Sequence, residues 1–148
     1  LRLNRMLSDY KTSPQKYDNG KDDIVLSGNR IKLPKGRKIK FQLRSKDVIH
    51  SAYFPHFRAQ MNVVPGMPTR TKFTPSLTTT EMQKKKGDPK FNFVLMCNKI
   101  CGTAHYKMKL IVVVLNEANY KAWKKTKKDK TFRDTYSSGS EDQNSDSE

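Results

Sequence analysis

The sequence predicts an all-β domain, a small β-sandwich followed by one short C-terminal helix. Three observations carry that expectation. The chain has 148 residues, enough for one domain. About seven short apolar or alternating segments recur at spacings of about 8–12 residues, the pattern of a sandwich. Only after Asn116 does the apolar spacing change to that of a helix.

Residues 1–21 read as irregular, with Ser13-Pro14 and Asn19-Gly20 as turn signals. Ile24-Val25-Leu26 is a first short strand, stopped by Ser27-Gly28, and Leu33-Pro34-Lys35-Gly36 is a turn. Ile39, Phe41 and Leu43 alternate with Lys40, Gln42 and Arg44, which is the period of a half-buried strand. Val48 to Phe54 is the next strand, closed by Pro55. Met61 to Val64 and Arg70 to Thr74 follow, on either side of Pro65-Gly66. Lys84-Lys85-Lys86 with Gly87-Asp88-Pro89 reads as an exposed loop. Phe91, Phe93 and Leu95 alternate into Cys97, and Met108 to Leu115 is apolar almost throughout, as in a strand covered on both faces. Asn116 can cap a helix over 117–131, with Glu117 in its first turn and Tyr120 and Trp123 on one face. A disordered, acidic, Ser-rich tail over 132–148 completes the division, leaving 22–116 as the folded domain. Ser137 to Glu148 contains no apolar residue, so it cannot bury enough surface to offset its ordering entropy.

Composition narrows the function classes. The net charge is +16, and the last twelve residues hold four of the fourteen acids and no base. The remainder therefore sets 30 basic residues against ten acidic ones. Such a field attracts phosphate, an acidic protein or an anionic membrane surface, but charge of one sign is not a site. A nucleic-acid partner is not expected. No apolar run reaches the ~18 residues of a membrane helix, and the start, Leu-Arg-Leu-Asn-Arg, lacks the apolar stretch of a signal peptide. Two cysteines are too few for a disulfide scaffold.

The chemistry is concentrated in Cys97-Asn98-Lys99-Ile100-Cys101-Gly102-Thr103-Ala104-His105-Tyr106-Lys107-Met108. Two thiols, an imidazole and a thioether fall within twelve residues between two strands. These are the soft ligands that select copper in electron-transfer sites. A loop pinned by strands at both ends is a rigid cage, which suits a metal that must change geometry little on changing oxidation state. Two thiolates can bridge two metals, and each metal then needs its own imidazole. The chain has three histidines, His50, His56 and His105. His105 is one candidate, and His50, at the end of a neighbouring strand, is the other. Met108 could serve as a weak axial ligand, and the backbone carbonyl of Lys99 could complete the second metal. A structural zinc site is the competing reading of Cys-x3-Cys with two histidines, but it leaves Met108 without a role. His56, between Pro55 and Phe57, is expected outside the site.

Asp47-Val48-Ile49-His50-Ser51, Val64-Pro65-Gly66 and Cys-x-x-x-Cys-Gly-x-x-His-x-x-Met together resemble the soluble domain of cytochrome c oxidase subunit II, in its bacterial form, from about Asp22 to Trp123. The resemblance implies a cupredoxin-like Greek-key β-sandwich holding a dinuclear copper (CuA) centre. By it, Cys97 and Cys101 bridge two copper ions, His50 and His105 are terminal ligands, Met108 is axial and Lys99 offers its carbonyl oxygen. It implies electron transfer from a cytochrome c-type donor to haem in oxidase subunit I, alongside other oxidase subunits. The setting would be a bacterial inner-membrane complex, with this domain on the periplasmic side and the membrane reached through segments upstream of this chain. The alternative is a copper carrier or assembly protein of the same fold. Lys99 stands where the family usually has a magnesium-binding Glu, so no magnesium site is expected. The family's aromatic electron-entry segment is not found, since the single Trp, Trp123, lies at the wrong end. Many relatives show an acidic face to a basic cytochrome c. A body this basic points to a different or acidic donor, or to docking through other contacts.

Overall fold

The structure, a computed structural model, describes residues 29–128. Among the described residues seven strands form two sheets. β1 (Arg30–Pro34), β3 (His50–Phe54), β4 (Ala59–Val63), β6 (Phe93–Cys97) and β7 (Lys109–Leu115) make a five-stranded sheet in the order β1-β7-β6-β3-β4. β2 (Ile39–Leu43) and β5 (Thr69–Phe73) make a two-stranded antiparallel sheet. The β1–β7 pair is parallel and the other pairs are antiparallel. Helix α1 (Thr79–Lys86) lies between β5 and β6, and α2 (Glu117–Lys128) follows β7. The compact unit that carries both sheets closes at Tyr120, and the residues from Lys121 on fall in a second unit. The architecture is the cupredoxin-like sandwich with a short helix after it.

Alternation along the strands builds the core. In β3 the side chains of His50, Ala52 and Phe54 share a face, because successive residues point to opposite sides of a sheet. In β6 the same face carries Phe93, Leu95 and Cys97. The register sets Ala52 opposite Cys97, and Phe93 opposite Val112. Phe54 and Val112 are fully buried, and Phe93 and Val114 nearly so. Across from them, Phe41 of β2 and Phe73 of β5 bring their rings to 4.9 and 5.0 Å from that of Phe54. Phe57 stacks on Phe73 at 4.5 Å and meets Phe93 at 4.8 Å. Burying rings of this size supplies most of the driving force for a domain of these dimensions.

Four elements differ from the sequence expectation. Leu33 and Pro34 do not form a turn; they end β1, and the turn starts at Lys35. β1 is an edge strand, where proline's missing N–H costs the ladder nothing. The strand expected from Val48 begins only at His50, since Val48 and Ile49 are exposed and the Ser45 hydroxyl bonds back to the Val48 carbonyl. Lys84-Lys85-Lys86 is not loop but the last turn of α1. Thr78 caps that helix: its side chain accepts from the Glu81 N–H, and the Glu81 carboxylate accepts from the Thr78 N–H. Gly87 ends it in the left-handed region at φ 65°, where only glycine is unstrained. β7 buries Val112 and Val114 fully but leaves Ile111 and Val113 half-buried, so its second face is only partly covered. The strand expected at Ile24-Val25-Leu26, the irregular segment 1–21 and the tail lie outside the described residues. Asn116 caps α2 as expected, its side-chain carbonyl accepting from the Asn119 N–H at 2.8 Å.

Candidate metal centre

The site forms where β3 and β6 run out. Cys97 is the last residue of β6, and its N–H donates to the Met108 carbonyl at 3.1 Å. That bond closes the neck of the loop 97–108. Inside the loop, the N–H groups of His105, Lys107 and Met108 donate to the carbonyls of Gly102, Ala104 and His105 at 3.0–3.2 Å. Gly102 sits at φ 127°, a conformation that a side chain would strain. This tight path folds Cys101, His105 and Met108 back toward Cys97.

The sulfurs of Cys97 and Cys101 lie 3.6 Å apart. The Nδ1 of His105 is 3.4 Å from Cys101 Sγ, and Met108 Sδ is 3.3 Å from the same sulfur. The Lys99 carbonyl oxygen is 3.2 Å from Cys97 Sγ. His50 enters from the other strand. It shares the face of Ala52, which pairs with Cys97, so it stands one step past the end of β6 with Nδ1 4.0 Å from Cys97 Sγ. Donor atoms of His50, Cys97 and Cys101 all lie within 4.8 Å of one another; His105 stands outside that threesome and approaches from the Cys101 side. All six residues singled out in the sequence thus come together at one end of the sandwich. His56 does not: it lies at the opposite end, edge-on to Phe91 and Phe93 at 5.0 and 5.6 Å.

One contributor escaped the sequence reading, although it stands in a motif quoted there. Asp47 Oδ1 lies 2.8 Å from His50 Nε2 and accepts from the Ser45 hydroxyl at 3.0 Å. With Nε2–H given to the carboxylate, Nδ1 is left with its lone pair toward the thiols. The only advance signal is an acid three residues before a candidate ligand. His50 and the Val48 and Ser45 contacts hold the Asp47 carboxyl well below the usual carboxylate range. For His50, burial works to lower the pKa, but the bond to Asp47 and the Cys97 sulfur outweigh it and raise it. Burial pushes the Cys97 thiol up; backbone hydrogen bonds at Ser51 and Lys99 and the His50 imidazole overcome this and bring it down to about 6. Cys101 is driven the other way by burial and by the neighbouring Cys97.

The donor set fits copper. A sulfur spacing of 3.6 Å lets one ion touch both thiolates, since metal–thiolate bonds run about 2.3 Å. Thiolate, imidazole and thioether together suit a soft metal rather than a hard one. Beside the donors opens a cavity of about 480 Å³, with Leu43, Val63, Leu95 and Leu110 on its apolar wall and Arg44, Lys46, Lys107 and Lys109 among its other lining residues.

Residues 4–115 match the family model described as the periplasmic domain of cytochrome C oxidase subunit II. Over 114 residues, 77% of the chain, the sequence is 40% identical to an alternative cytochrome c oxidase subunit 2 of Bradyrhizobium diazoefficiens, of which the match covers 36%. Over 104 residues, 70% of the chain, it is 28% identical to a cytochrome c oxidase subunit 2 of Thermostichus vulcanus, covering 28% of that protein. The chain therefore spans about a third of the length of these relatives. The crystal structure of the periplasmic domain of cytochrome oxidase subunit II of Bradyrhizobium japonicum superposes with a TM-score of 0.58 at 23% identity, covering 76% of this chain and 73% of that one, and it carries the same fold.

Proposed function

Given that the chain belongs to the family of the periplasmic domain of cytochrome c oxidase subunit II, we propose that it is the electron-transfer domain of a haem–copper respiratory oxidase. In this reading the thiolates of Cys97 and Cys101 and the Nδ1 atoms of His50 and His105 would hold a pair of copper ions, with the Met108 thioether and the Lys99 carbonyl as further donors. The metal would supply one-electron transfer, between a c-type cytochrome and haem in oxidase subunit I. The chain's own part is to hold the donors still. The neck bond between Cys97 and Met108 fixes the loop, and Asp47 fixes the tautomer and plane of His50. Rigid donors keep the reorganisation on electron transfer small.

The observation that carries the reading is the convergence of two thiols 3.6 Å apart with an imidazole against each. A zinc site would need no thioether, yet Met108 Sδ lies 3.3 Å from Cys101 Sγ. The domain would stand on the periplasmic side of a bacterial inner membrane and be tethered by segments upstream of it; among the described residues no helix is long and apolar enough to cross a membrane. The test is EPR of the copper-loaded protein. Cys97→Ser and Cys101→Ser should each abolish the mixed-valence dinuclear signal while the β-sheet circular dichroism persists. A normal signal in either variant would remove the assignment.

A further inference from the structure

Among the described residues the exposed large apolar side chains are Val48, Ile49, Met67, Ile100, Tyr106 and Met108. Strand direction puts all six at the same end. Val48 and Ile49 lead into β3 at His50, and Ile100, Tyr106 and Met108 lie in the loop after β6. Met67 sits in the turn after β4, which is bridged to the segment before His50 through Ser45 and Pro65. Ile100, between the two thiols, is 89% exposed, and Tyr106 is 77% exposed. Exposed apolar surface gathered in one place marks a contact site.

Among the described residues the charge around that patch is mostly positive. Arg44, Lys46, Lys107 and Lys109 line the cavity beside the thiols, and Lys99 is exposed between them. Residues 29–128 contain four acids, Asp47, Glu81, Asp88 and Glu117. Glu81 and Glu117 are paired with Lys35 and Arg37 at the other end, and Asp88 accepts from the Lys90 N–H there. Among the described residues Asp47 is the one acid at the thiol end, and its carboxylate is taken up by His50 and Ser45. An apolar centre in a basic rim is the complement of an apolar centre in an acidic rim.

We propose that the electron donor received at this end is an acidic redox protein, its exposed cofactor edge ringed by carboxylates. This rests on the copper reading of the same end. Opposite charges steer encounter and raise the association rate by about 10–10³-fold, an advantage that salt removes. The apolar centre then lets the partners slide together and part quickly, as electron carriers must.

The experiment uses the intact oxidase and two reduced c-type cytochromes, one acidic and one basic, with electron entry followed by stopped flow across ionic strength. The second-order rate with the acidic donor should exceed that with the basic one at low salt and fall as salt rises. The pair Lys46→Glu and Lys107→Glu should slow the acidic donor about tenfold or more at low salt and leave the copper EPR signal unchanged. Lys84→Glu with Lys85→Glu changes the charge equally at the far end and should slow it much less. A faster basic donor, equal effects of the two pairs, or a rate indifferent to salt would overturn the proposal. So would weakened oxidase assembly with unchanged donor rate in the Lys46/Lys107 variant, which would assign the patch to another subunit. If wild-type oxidase shows no dinuclear copper signal, it is the copper reading that fails, and the docking proposal fails with it.

Discussion

The two ends of the sandwich are built from the same strands on opposite rules. Along β3 the core face runs Phe54, Ala52, His50; along β6 it runs Phe93, Leu95, Cys97. At one end the columns finish in rings packed against Phe41, Phe57 and Phe73, and at the other in donor atoms 3.3–4.0 Å apart. The ring end is held by packing around the buried Phe54 and Phe93. The thiol end is half-exposed, irregular and held by backbone turns and one carboxylate. The packed rings and the converging donor atoms are thus separated by about the length of a strand.

Phe54→Ala should break the packed end. Removing a fully buried ring that contacts three others should cost about 3–5 kcal/mol. Chemical denaturation measures the loss, and the fraction that remains folded should still give the copper spectrum. If the spectrum disappears while the sheets remain, the two ends are not separable. Asp47→Asn acts at the other end. It removes the charge that orients His50 and should weaken copper affinity about 10–100-fold, with little change in the unfolding midpoint of the metal-free protein. An unchanged affinity would mean that the strand alone positions His50.

The smallest effect concerns Glu81, which fastens α1 to Lys35 at 2.6 Å and closes the capping box. The Lys35 bond and the Thr78 backbone hold its carboxyl below the ordinary glutamate range in the folded protein. A pKa lowered by folding stabilises at neutral pH, and the gain disappears as pH falls through the folded value. The melting temperature of Glu81→Gln should therefore lie slightly below that of the wild type at neutral pH, and the two should converge as the pH falls below the ordinary glutamate range and through the lowered folded value. A gap that stays constant with pH would assign the effect to the cap's geometry rather than to charge.

What could be read from the sequence follows the strength of the local pattern. Ile39-Lys40-Phe41-Gln42-Leu43 alternates cleanly and is β2, and the apolar run before Leu115 is β7. β1 was hidden because Pro34 looks like a turn, and whether proline is tolerated depends on a strand being at the edge, which is a property of the sheet. α1 was hidden because its face is polar and its lysines suggest loop, although Thr78 and Glu81 carry the spacing of a capping box. The six candidate residues could be singled out because four fall in one short loop with the Lys99 carbonyl between the thiols, and histidines are few. Asp47 was not, since a carboxylate three residues from a histidine is commonplace until the fold turns it toward Nε2. The exposed apolar patch also escaped, because Val48-Ile49 and Ile100 look like core residues in a linear reading, and only strand direction places them on one surface.

The central claim is that this end of the sandwich grips two copper ions between two thiolates. The direct measurement is the copper-to-protein ratio of the reconstituted domain, taken together with its visible and EPR spectra. Two copper ions per chain, a purple colour and one unpaired electron shared between them are the predicted result. A single ion per chain, or tight binding of zinc in place of copper, would contradict it.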